Sequence, residues 1–373
     1  MKRESEEDGV FEIIVGTYEE YLVGFKFMLT DDAPKLQQTV ANHSHKGSLK
    51  CLATYDRYLA SGGSDENIHL YDFKTRKQGG MLMHHTGTVT CMKFTPDGSH
   101  LVTCGEDGSI AIVAVGSWML RKIWPKAHKE QAVHWITIHP SGRLALSIGA
   151  DKTIKTWNLI KGKHAYTTNI ASVTPRPEFI EWSQCGEYFG LVYGTNVDIY
   201  SMATGAVNNT VKVGFRITCI QFLENQRLCV GTWEGSVICL DFLTGNKIWE
   251  IESKNEVRIK SIGVADKWLV VGNSEGNIFV YALKREKKPK EKASIASSCR
   301  ITCLVLSRLL SEDELKEAKK KRKKKKLRNR PPGVVETAVP DSKELETPKI
   351  KKSKKSVGTP QQQWDVETIA AGT

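Results

Sequence analysis

One segment of this 373-residue chain, SGGSDENIHLYD at residues 61–72, recurs with variations at intervals of about forty residues. Its aromatic or apolar position is occupied in successive copies by Tyr71, Val113, Trp157, Tyr200, Leu240 and Tyr281. The spacings between these residues are 42, 44, 43, 40 and 41. A period of this length constrains the fold strongly, because each unit is one supersecondary structure that buries its apolar faces only against neighbouring units.

Each copy contains short apolar runs separated by turns rich in Gly, Pro, Asp and Ser, which is the pattern of an all-β fold. In one copy the run VTCMKF (residues 89–94) is followed by the turn TPDG and the run HLVTCG, and the matching turns HPSG and SQCG follow in register. We name the four strands of each copy a to d. Four short strands in about forty residues are typical of a propeller blade, so the sequence predicts a ring of blades.

Six complete copies begin near Ser48, Thr88, Ala132, Arg176, Arg216 and Arg258. Residues 12–39 supply only strands b, c and d, whereas RITCLVL at residues 300–306 has the pattern of an isolated strand a. Because a ring must close to leave no unpaired strand edge, we expect these segments to form one further blade. The prediction is a seven-bladed propeller over residues 11–307, after a disordered N-terminus at 1–10 and before a Lys-rich, partly helical and largely disordered tail at 308–373.

The tail carries most of the positive charge. The chain has a net charge of +12, and the segment from Arg308 onward holds 18 basic against 10 acidic residues, or +8. Ten of the twelve positions from 319 to 330 are basic, namely Lys319, Lys320, Lys321, Arg322, Lys323, Lys324, Lys325, Lys326, Arg328 and Arg330. Such a run can bind import receptors and RNA phosphates, so we predict nuclear and nucleolar targeting with contact to pre-rRNA. The alternative is a solvated basic tail without a partner.

Other compositional features favour an intracellular protein without bound cofactors or metals. Cys51, Cys91, Cys219 and Cys303 share one repeat position, which indicates small buried side chains rather than disulfides or metal ligands. No apolar run approaches the roughly 20 residues that span a bilayer, so neither a secretory signal nor a membrane partner is expected.

Two stretches resemble WD40 repeats, HSHKGSLKCL followed by YLASGGSDENIHLYDF, and residues 127–159. The early GTYEEYLVGF, the later LALSIGADKTIKTWNL and the Lys-rich tail further resemble the p21-activated protein kinase-interacting branch of that family. This resemblance implies a nucleolar protein that takes part in maturation of the large (60S) ribosomal subunit and in pre-rRNA processing. Its partners would be large-subunit assembly factors, with the chain a monomer inside a larger complex. Animal members of the branch are also linked to binding and restraining a p21-activated kinase, which supplies the alternative function.

Sets of His, Ser or Thr, Asp and aromatic residues have the spacing of the structural WD40 tetrad. The sets are His128, Ser147, Asp151 and Trp157, then His45, Ser61, Asp65 and Tyr71, and, without an aromatic member, His85, Thr103 and Asp107. A Ser/His/Asp set is also the signature of a hydrolase. Repetition in successive copies favours a structural role, and no phosphate-binding, dinucleotide-binding or HExxH motif occurs. We therefore predict a scaffold without catalytic activity, with an undetected hydrolase as a remote alternative.

A column of arginines breaks the symmetry of the repeats. Arg216, Arg258 and Arg300 lie three residues before the repeated cysteine position and 42 residues apart, and Arg176 holds the same place in an earlier copy. We expect them near the central opening, on the face that carries the d–a and b–c loops, where they could bind an acidic peptide or RNA phosphates. Trp233, in a b–c turn of that face, is a candidate interface anchor. The alternatives are pairing of each arginine with a neighbouring acid or carbonyl, and local packing of the indole.

Overall fold

The computed structural model describes residues 11–30, 33–73, 75–252, 255–284 and 287–308. Within these ranges 28 strands form seven four-stranded antiparallel sheets, which confirms the predicted seven-bladed propeller. No helix in the described part of the chain is long and apolar enough to cross a membrane. The expectations for the N-terminus at 1–10 and for the tail beyond Arg308, including its ten targeting residues, lie outside the described residues.

Blades 1 to 3 each follow the order a, b, c, d outward from the ring centre. Blade 1 contains β4 (Leu49–Tyr55), β5 (Tyr58–Gly63), β6 (Ile68–Asp72) and β7 (Lys77–Leu82). Blade 2 contains β8 (Val89–Phe94), β9 (His100–Gly105), β10 (Ile110–Ala114) and β11 (Leu120–Trp124). Blade 3 contains β12 (Val133–Ile138), β13 (Leu144–Gly149), β14 (Thr153–Asn158) and β15 (Lys163–Asn169).

Blades 4 to 6 repeat this order. Blade 4 contains β16 (Phe179–Trp182), β17 (Tyr188–Tyr193), β18 (Asn196–Ser201) and β19 (Val207–Lys212). Blade 5 contains β20 (Ile217–Phe222), β21 (Arg227–Thr232), β22 (Val237–Asp241) and β23 (Lys247–Ile251). Blade 6 contains β24 (Ile259–Ala265), β25 (Trp268–Asn273), β26 (Asn277–Ala282) and β27 (Lys290–Ala296).

Blade 7 is built from both ends of the propeller, as the sequence predicted. Strand a is β28 (Ile301–Arg308), and strands b, c and d are β1 (Phe11–Thr17), β2 (Leu22–Met28) and β3 (Lys35–Asn42). The wholly buried carboxylate of Glu12 accepts hydrogen bonds of 2.7 and 2.8 Å from Arg76 of blade 1. This ion pair adds a polar link between blades 7 and 1 at the point of closure.

The strands differ in burial according to their distance from the ring centre. The a strands of adjacent blades contact one another around the whole ring and therefore line the central channel. The residues of strands b and c are largely buried, as in β13. The residues of strand d alternate between partly buried and exposed or are mostly exposed, as in β15. Apolar side chains meet between adjacent blades, as where Phe27 of blade 7 packs edge-on against Trp268 of blade 6 at 4.8 Å. The single blade cannot supply this core alone, which is why the repeat requires a closed ring.

Candidate partner-binding surface

One backbone hydrogen bond recurs on the face that carries the b–c turns. The carbonyl of the residue just before strand a accepts the N–H of the first b–c turn residue at 2.8–3.0 Å. The pairs are Ser48 with Ser64, Thr88 with Glu106, Ala132 with Ala150, Arg216 with Trp233, Arg258 with Ser274, and Arg300 with Tyr18. Each arginine of blades 5 to 7 is therefore fixed beside the b–c turn of its own blade.

Trp233 lies between two of the predicted arginines. The guanidinium carbon of Arg258, from the next blade, lies 4.2 Å from the indole centroid, and that of Arg216 lies 5.3 Å from it. Arg216 also donates a hydrogen bond of 3.0 Å to Glu178 of blade 4. The indole remains 45% exposed. Its contacts stabilise the arginines by cation–π attraction and restrict their orientation, while part of the ring stays accessible.

Tyr18 has the same position in blade 7 that Trp233 has in blade 5. The Arg300 guanidinium lies 4.2 Å from the Tyr18 ring centroid, and its Nε donates to Glu19 at 3.0 Å. Burial acts to raise the pKa of Glu19, but hydrogen bonds from Arg300 hold it below its ordinary value. The sequence interpretation did not include Tyr18, although the parallel between GTY at residues 16–18 and GTW at residues 231–233 was the available signal.

Arg176 is placed differently from the other three arginines. It is exposed and lies beside His134, whose pKa falls to about 4 because of burial and the positive charge of Arg176. Strand a of blade 4 starts only at Phe179, and its pairing with β17 has no bulge. Within the described residues no hydrogen bond, ion pair or ring contact joins Arg176 to the other arginines.

We name the five residues Arg216, Trp233, Arg258, Tyr18 and Arg300 the arginine–aromatic surface. Its aromatic side chains are exposed, with an exposed fraction of 45% for Trp233 and 54% for Tyr18. The neighbouring Phe215 is 43% exposed. The guanidinium group of Arg258, held against the Trp233 ring, keeps N–H edges available for a carboxylate or phosphate, whereas Arg216 and Arg300 are paired with Glu178 and Glu19. The surface thus combines charge with apolar contact area, the composition typical of binding hot spots.

The tetrad of blade 3 forms a continuous hydrogen-bonded chain. His128 Nδ1 lies 2.8 Å from Asp151 Oδ1, and His128 Nε2 lies 2.7 Å from Ser147 Oγ, which also accepts a bond of 2.8 Å from Trp157 Nε1. His128 and Ser147 have no exposed surface, and burial lowers the pKa of His128. With the serine hydroxyl buried inside a blade, no substrate can reach it in this arrangement. The geometry supports a structural network.

Two further blades contain related networks. His45 contacts Asp65 at 2.9 Å and Ser61 at 2.7 Å, with Tyr71 buried nearby, and in blade 2 His85 contacts Asp107 at 3.0 Å and Thr103 at 2.9 Å. The structure thus brings together the His, Ser or Thr, and Asp members that the sequence pattern predicted, while the Tyr71 hydroxyl is buried without a hydrogen-bond partner among the described residues.

His45, Asp65 and His69 also place possible metal-ligand atoms within 4.8 Å of one another. Both ring nitrogens of His45 are already used, one by Asp65 and the other by Ser61. His69 Nδ1 lies 2.6 Å from the side-chain nitrogen of Gln78. Hydrogen bonds therefore occupy both nitrogens of His45 and Nδ1 of His69, whereas His69 Nε2 is buried without a hydrogen-bond partner among the described residues.

A second polar network lies in the central channel, where a cavity of about 400 Å³ is lined by a strands. Both carboxylate oxygens of Glu181 accept hydrogen bonds of 3.1 Å from Lys93, and Trp135 and Thr137 donate to the same carboxylate at 3.2 and 3.0 Å. The network joins blades 2, 3 and 4. All four hydrogen bonds of this set are accepted by the one carboxylate of Glu181.

Comparisons with known proteins agree with the fold and the repeat. The family model for the WD domain, G-beta repeat, matches residues 34–72, 76–113 and 120–158. A Mus musculus protein named p21-activated protein kinase-interacting protein 1 is 37% identical over 307 residues, covering 79% of this chain and 78% of the relative. The Shk1 kinase-binding protein 15 of Schizosaccharomyces pombe is 26% identical over 311 residues, covering 82% and 87%. A crystal structure of the RRP9 WD40 repeats superposes with a TM-score of 0.63 at 15% identity, covering 70% of this chain and 84% of that one.

Proposed function

The chain belongs to the p21-activated protein kinase-interacting family of WD40 proteins, and we propose that it is a non-catalytic scaffold for assembly of the large ribosomal subunit in the nucleolus. Its work is to position other proteins during pre-rRNA processing. No bond is made or broken in this role.

The observation that carries the proposal is the arginine–aromatic surface on a rigid ring. Trp233, Arg258 and Arg300 lie on loops whose backbones are fixed to strand a of each blade, so little conformational entropy is lost when a partner binds. The His and Ser or Thr members of the tetrad sets, in contrast, are buried inside blades, and their aspartates are half-buried. A chain with a preformed outer surface and enclosed polar networks is suited to binding rather than catalysis.

The nucleolar part of the proposal rests on the family resemblance and on the basic run at residues 319–330. Ten positive charges in twelve residues suit import receptors and rRNA phosphates, and their affinity for RNA would fall with rising salt. We infer that the propeller selects protein partners while the tail concentrates the chain near pre-rRNA.

The test is to express the tagged full chain and follow both nucleolar accumulation and co-sedimentation with large-subunit precursors. We expect deletion of residues 308–373 to reduce nucleolar accumulation. The triple reversal Arg216→Glu, Arg258→Glu and Arg300→Glu should remove precursor association while the chain stays folded. A matched control reverses three exposed lysines of the outer d strands, Lys77, Lys122 and Lys163. If the arginine reversal leaves association unchanged, the surface is not the scaffold site.

A second candidate function is binding and restraint of a p21-activated kinase, favoured by the names of the mouse and fission yeast relatives. The same surface could serve it. Purified full chain mixed with the regulatory segment of such a kinase should form a complex on size-exclusion chromatography and slow kinase activation. If no complex forms at micromolar concentrations, the kinase function is ruled out and the ribosomal proposal remains.

A further inference from the structure

A ring of β-bulges surrounds the mouth of the central channel. In six of the seven blades of the described structure, the second residue of strand a is skipped in the pairing with strand b. These bulge residues are Lys50, Thr90, His134, Thr218, Lys260 and Thr302. Bulges redirect side chains and are frequent beside functional sites, so the chemistry of this ring is informative.

Three of the six bulge side chains are satisfied internally, whereas His134 Nε2 is buried without a hydrogen-bond partner among the described residues. The hydroxyls of Thr90, Thr218 and Thr302 donate to main-chain carbonyls of strand b at 3.2, 3.0 and 3.0 Å. The two lysines differ, because within the described residues neither Lys50 nor Lys260 has a hydrogen bond or ion pair to a carboxylate. They belong to blades 1 and 6, on either side of blade 7. The ring therefore presents two unpaired ammonium groups at one side of the channel mouth.

Arg258 adds a third cation to this position. It precedes Lys260 by two residues, and its guanidinium group rests on Trp233 rather than on an acid. Burial lowers the pKa of Lys260, and the charges of Arg258 and Lys50 lower it further. Arg258 and Lys260 are half-buried, whereas Lys50 is exposed. Uncompensated positive charge at the two half-buried positions is costly unless a ligand neutralises it.

The neighbouring arginines are already neutralised. Arg216 is paired with Glu178 at 3.0 Å and Arg300 with Glu19 at 3.0 Å. The three arginines that share one repeat position therefore differ, and the available positive charge is concentrated on Arg258 and the two bulge lysines.

We propose that Arg258, Lys260 and Lys50 form an anion pocket at the channel mouth that receives an acidic side chain from a linear peptide segment of a protein partner. The pocket is one localised site, whereas an RNA strand carries a charge at every nucleotide and would extend over Arg216 and Arg300, whose charges are already neutralised by Glu178 and Glu19. The indole of Trp233 is also occupied by guanidinium groups, which leaves less of it for base stacking. Residues beside the acidic side chain would contact the exposed Trp233, Phe215 and Tyr18. The inference rests on the proposed scaffold function, since it assigns the chemistry of the partner.

The experiment uses the full chain and a random 12-residue peptide library displayed on phage. We expect the selected peptides to share an Asp or Glu flanked by apolar residues. Replacing that acid by its amide should weaken binding about tenfold or more, measured by fluorescence anisotropy of the synthetic peptide. A phosphoserine version distinguishes a carboxylate from a phosphate on the same peptide. A 12-nucleotide oligouridylate tests the RNA alternative.

Variants of the pocket give the decisive comparison. Lys50→Glu with Lys260→Glu should weaken the acidic peptide at least tenfold, and the milder Lys50→Met with Lys260→Met should weaken it in the same direction with less risk to folding. The control pair Lys77→Glu and Lys163→Glu, on exposed d strands, should bind as the parent does. The inference is overturned if no acidic peptide is selected, if the pocket variants bind unchanged, or if oligouridylate binds more tightly through these residues.

This outcome is separable from that of the proposed function. If the parent chain binds no acidic peptide but still associates with large-subunit precursors, the pocket is refuted and the proposed function is not. Acidic-peptide binding through the pocket without any association with large-subunit precursors would refute the ribosomal assignment and leave the pocket standing.

Discussion

Blades 1 to 3 and blades 5 to 7 share one backbone plan but use their b–c turns differently. In the early blades a histidine from the d–a loop enters the blade and binds an aspartate of the turn, as His128 does with Asp151. In blades 5 and 7 the turn is closed by a threonine, and an aromatic residue faces outward beside an arginine. The early blades use polar side chains inside for stability, while the later blades place charged and aromatic ones outside for contact.

A single position accounts for much of this difference. The last residue of strand b is glycine in blades 1 to 3, at Gly63, Gly105 and Gly149, and is Thr232, Asn273 and Thr17 in blades 5 to 7. A Cβ at Gly149 would overlap the ring of His128, so only glycine leaves room for the imidazole. Thr232 is wholly buried and bonds to both the N–H and the carbonyl of Ser236, which closes the turn without a histidine.

The largest effect is expected from removing the blade 3 imidazole. His128→Ala deletes the bonds to Asp151 and Ser147 and leaves a buried cavity, so we expect a loss of about 3–4 kcal/mol in the free energy of unfolding. Urea denaturation followed by tryptophan fluorescence measures it. The control His164→Ala removes an exposed histidine of the same blade and should cost about 1 kcal/mol or less. Equal losses in the two variants would contradict the structural role of the tetrad.

A smaller loss is expected from filling the space that the imidazole uses. Gly149→Ala should cost about 2–3 kcal/mol, because the added methyl group displaces His128. In a His128→Ala background the same change should cost less than half as much, which a double-mutant cycle detects. Gly79→Ala is the matched control, since its Cβ would meet only the Leu70 carbonyl at 3.8 Å. Additive losses would show that glycine is needed there for another reason.

Acid should weaken the early blades selectively, by on the order of 1 kcal/mol for each of two histidines. Burial lowers the pKa of His84 to about 4, and burial with Arg176 lowers that of His134 to about 4, against an ordinary value of 6.5. The unfolded chain therefore binds more protons between pH 6.5 and 4, so stability is complete above pH 6.5 and declines as the pH falls toward 4.

The measurement is urea denaturation at pH 7.5 and pH 5 of the parent and of a variant with His84→Gln and His134→Thr. Threonine is the residue at the same bulge position in blades 2, 5 and 7, which makes it a matched replacement. The variant should lose less stability on acidification than the parent. An identical loss would place the acid-sensitive groups elsewhere.

The smallest effect on stability is expected in the later blades. Trp233→Ala removes two cation–π contacts from a residue that is 45% exposed, so the free energy of unfolding should fall by about 1 kcal/mol or less. Partner binding should fall much more, as seen by co-sedimentation with large-subunit precursors. Trp249→Ala removes a buried indole of the same blade. It should show the opposite pattern, with a larger effect on the free energy of unfolding than on partner binding. If Trp233→Ala destabilises as strongly as Trp249→Ala, the indole is a packing residue.

The sequence predicted the blade count and the split blade because both follow from register. Its repeat also placed His128, Ser147, Asp151 and Trp157 at tetrad spacing, since these residues share one blade and their separation is local. It treated Arg216, Arg258 and Arg300 as equivalent, because their spacing is identical. The structure distinguishes them, since Glu178 and Glu19 approach two of the three from turns and loops that the period does not relate to them.

By itself the sequence determined a closed ring of seven blades, because the N-terminal segment supplies strands b to d without strand a, and the C-terminal segment supplies the missing strand. Only the tertiary structure decided which charges remain available. Lys50 and Lys260 are 210 residues apart in the chain, and ring closure places them on either side of blade 7. Their unpaired state depends on the bulges that set side-chain direction and on where each nearby acid lies, which are properties of packing between blades rather than of the repeat.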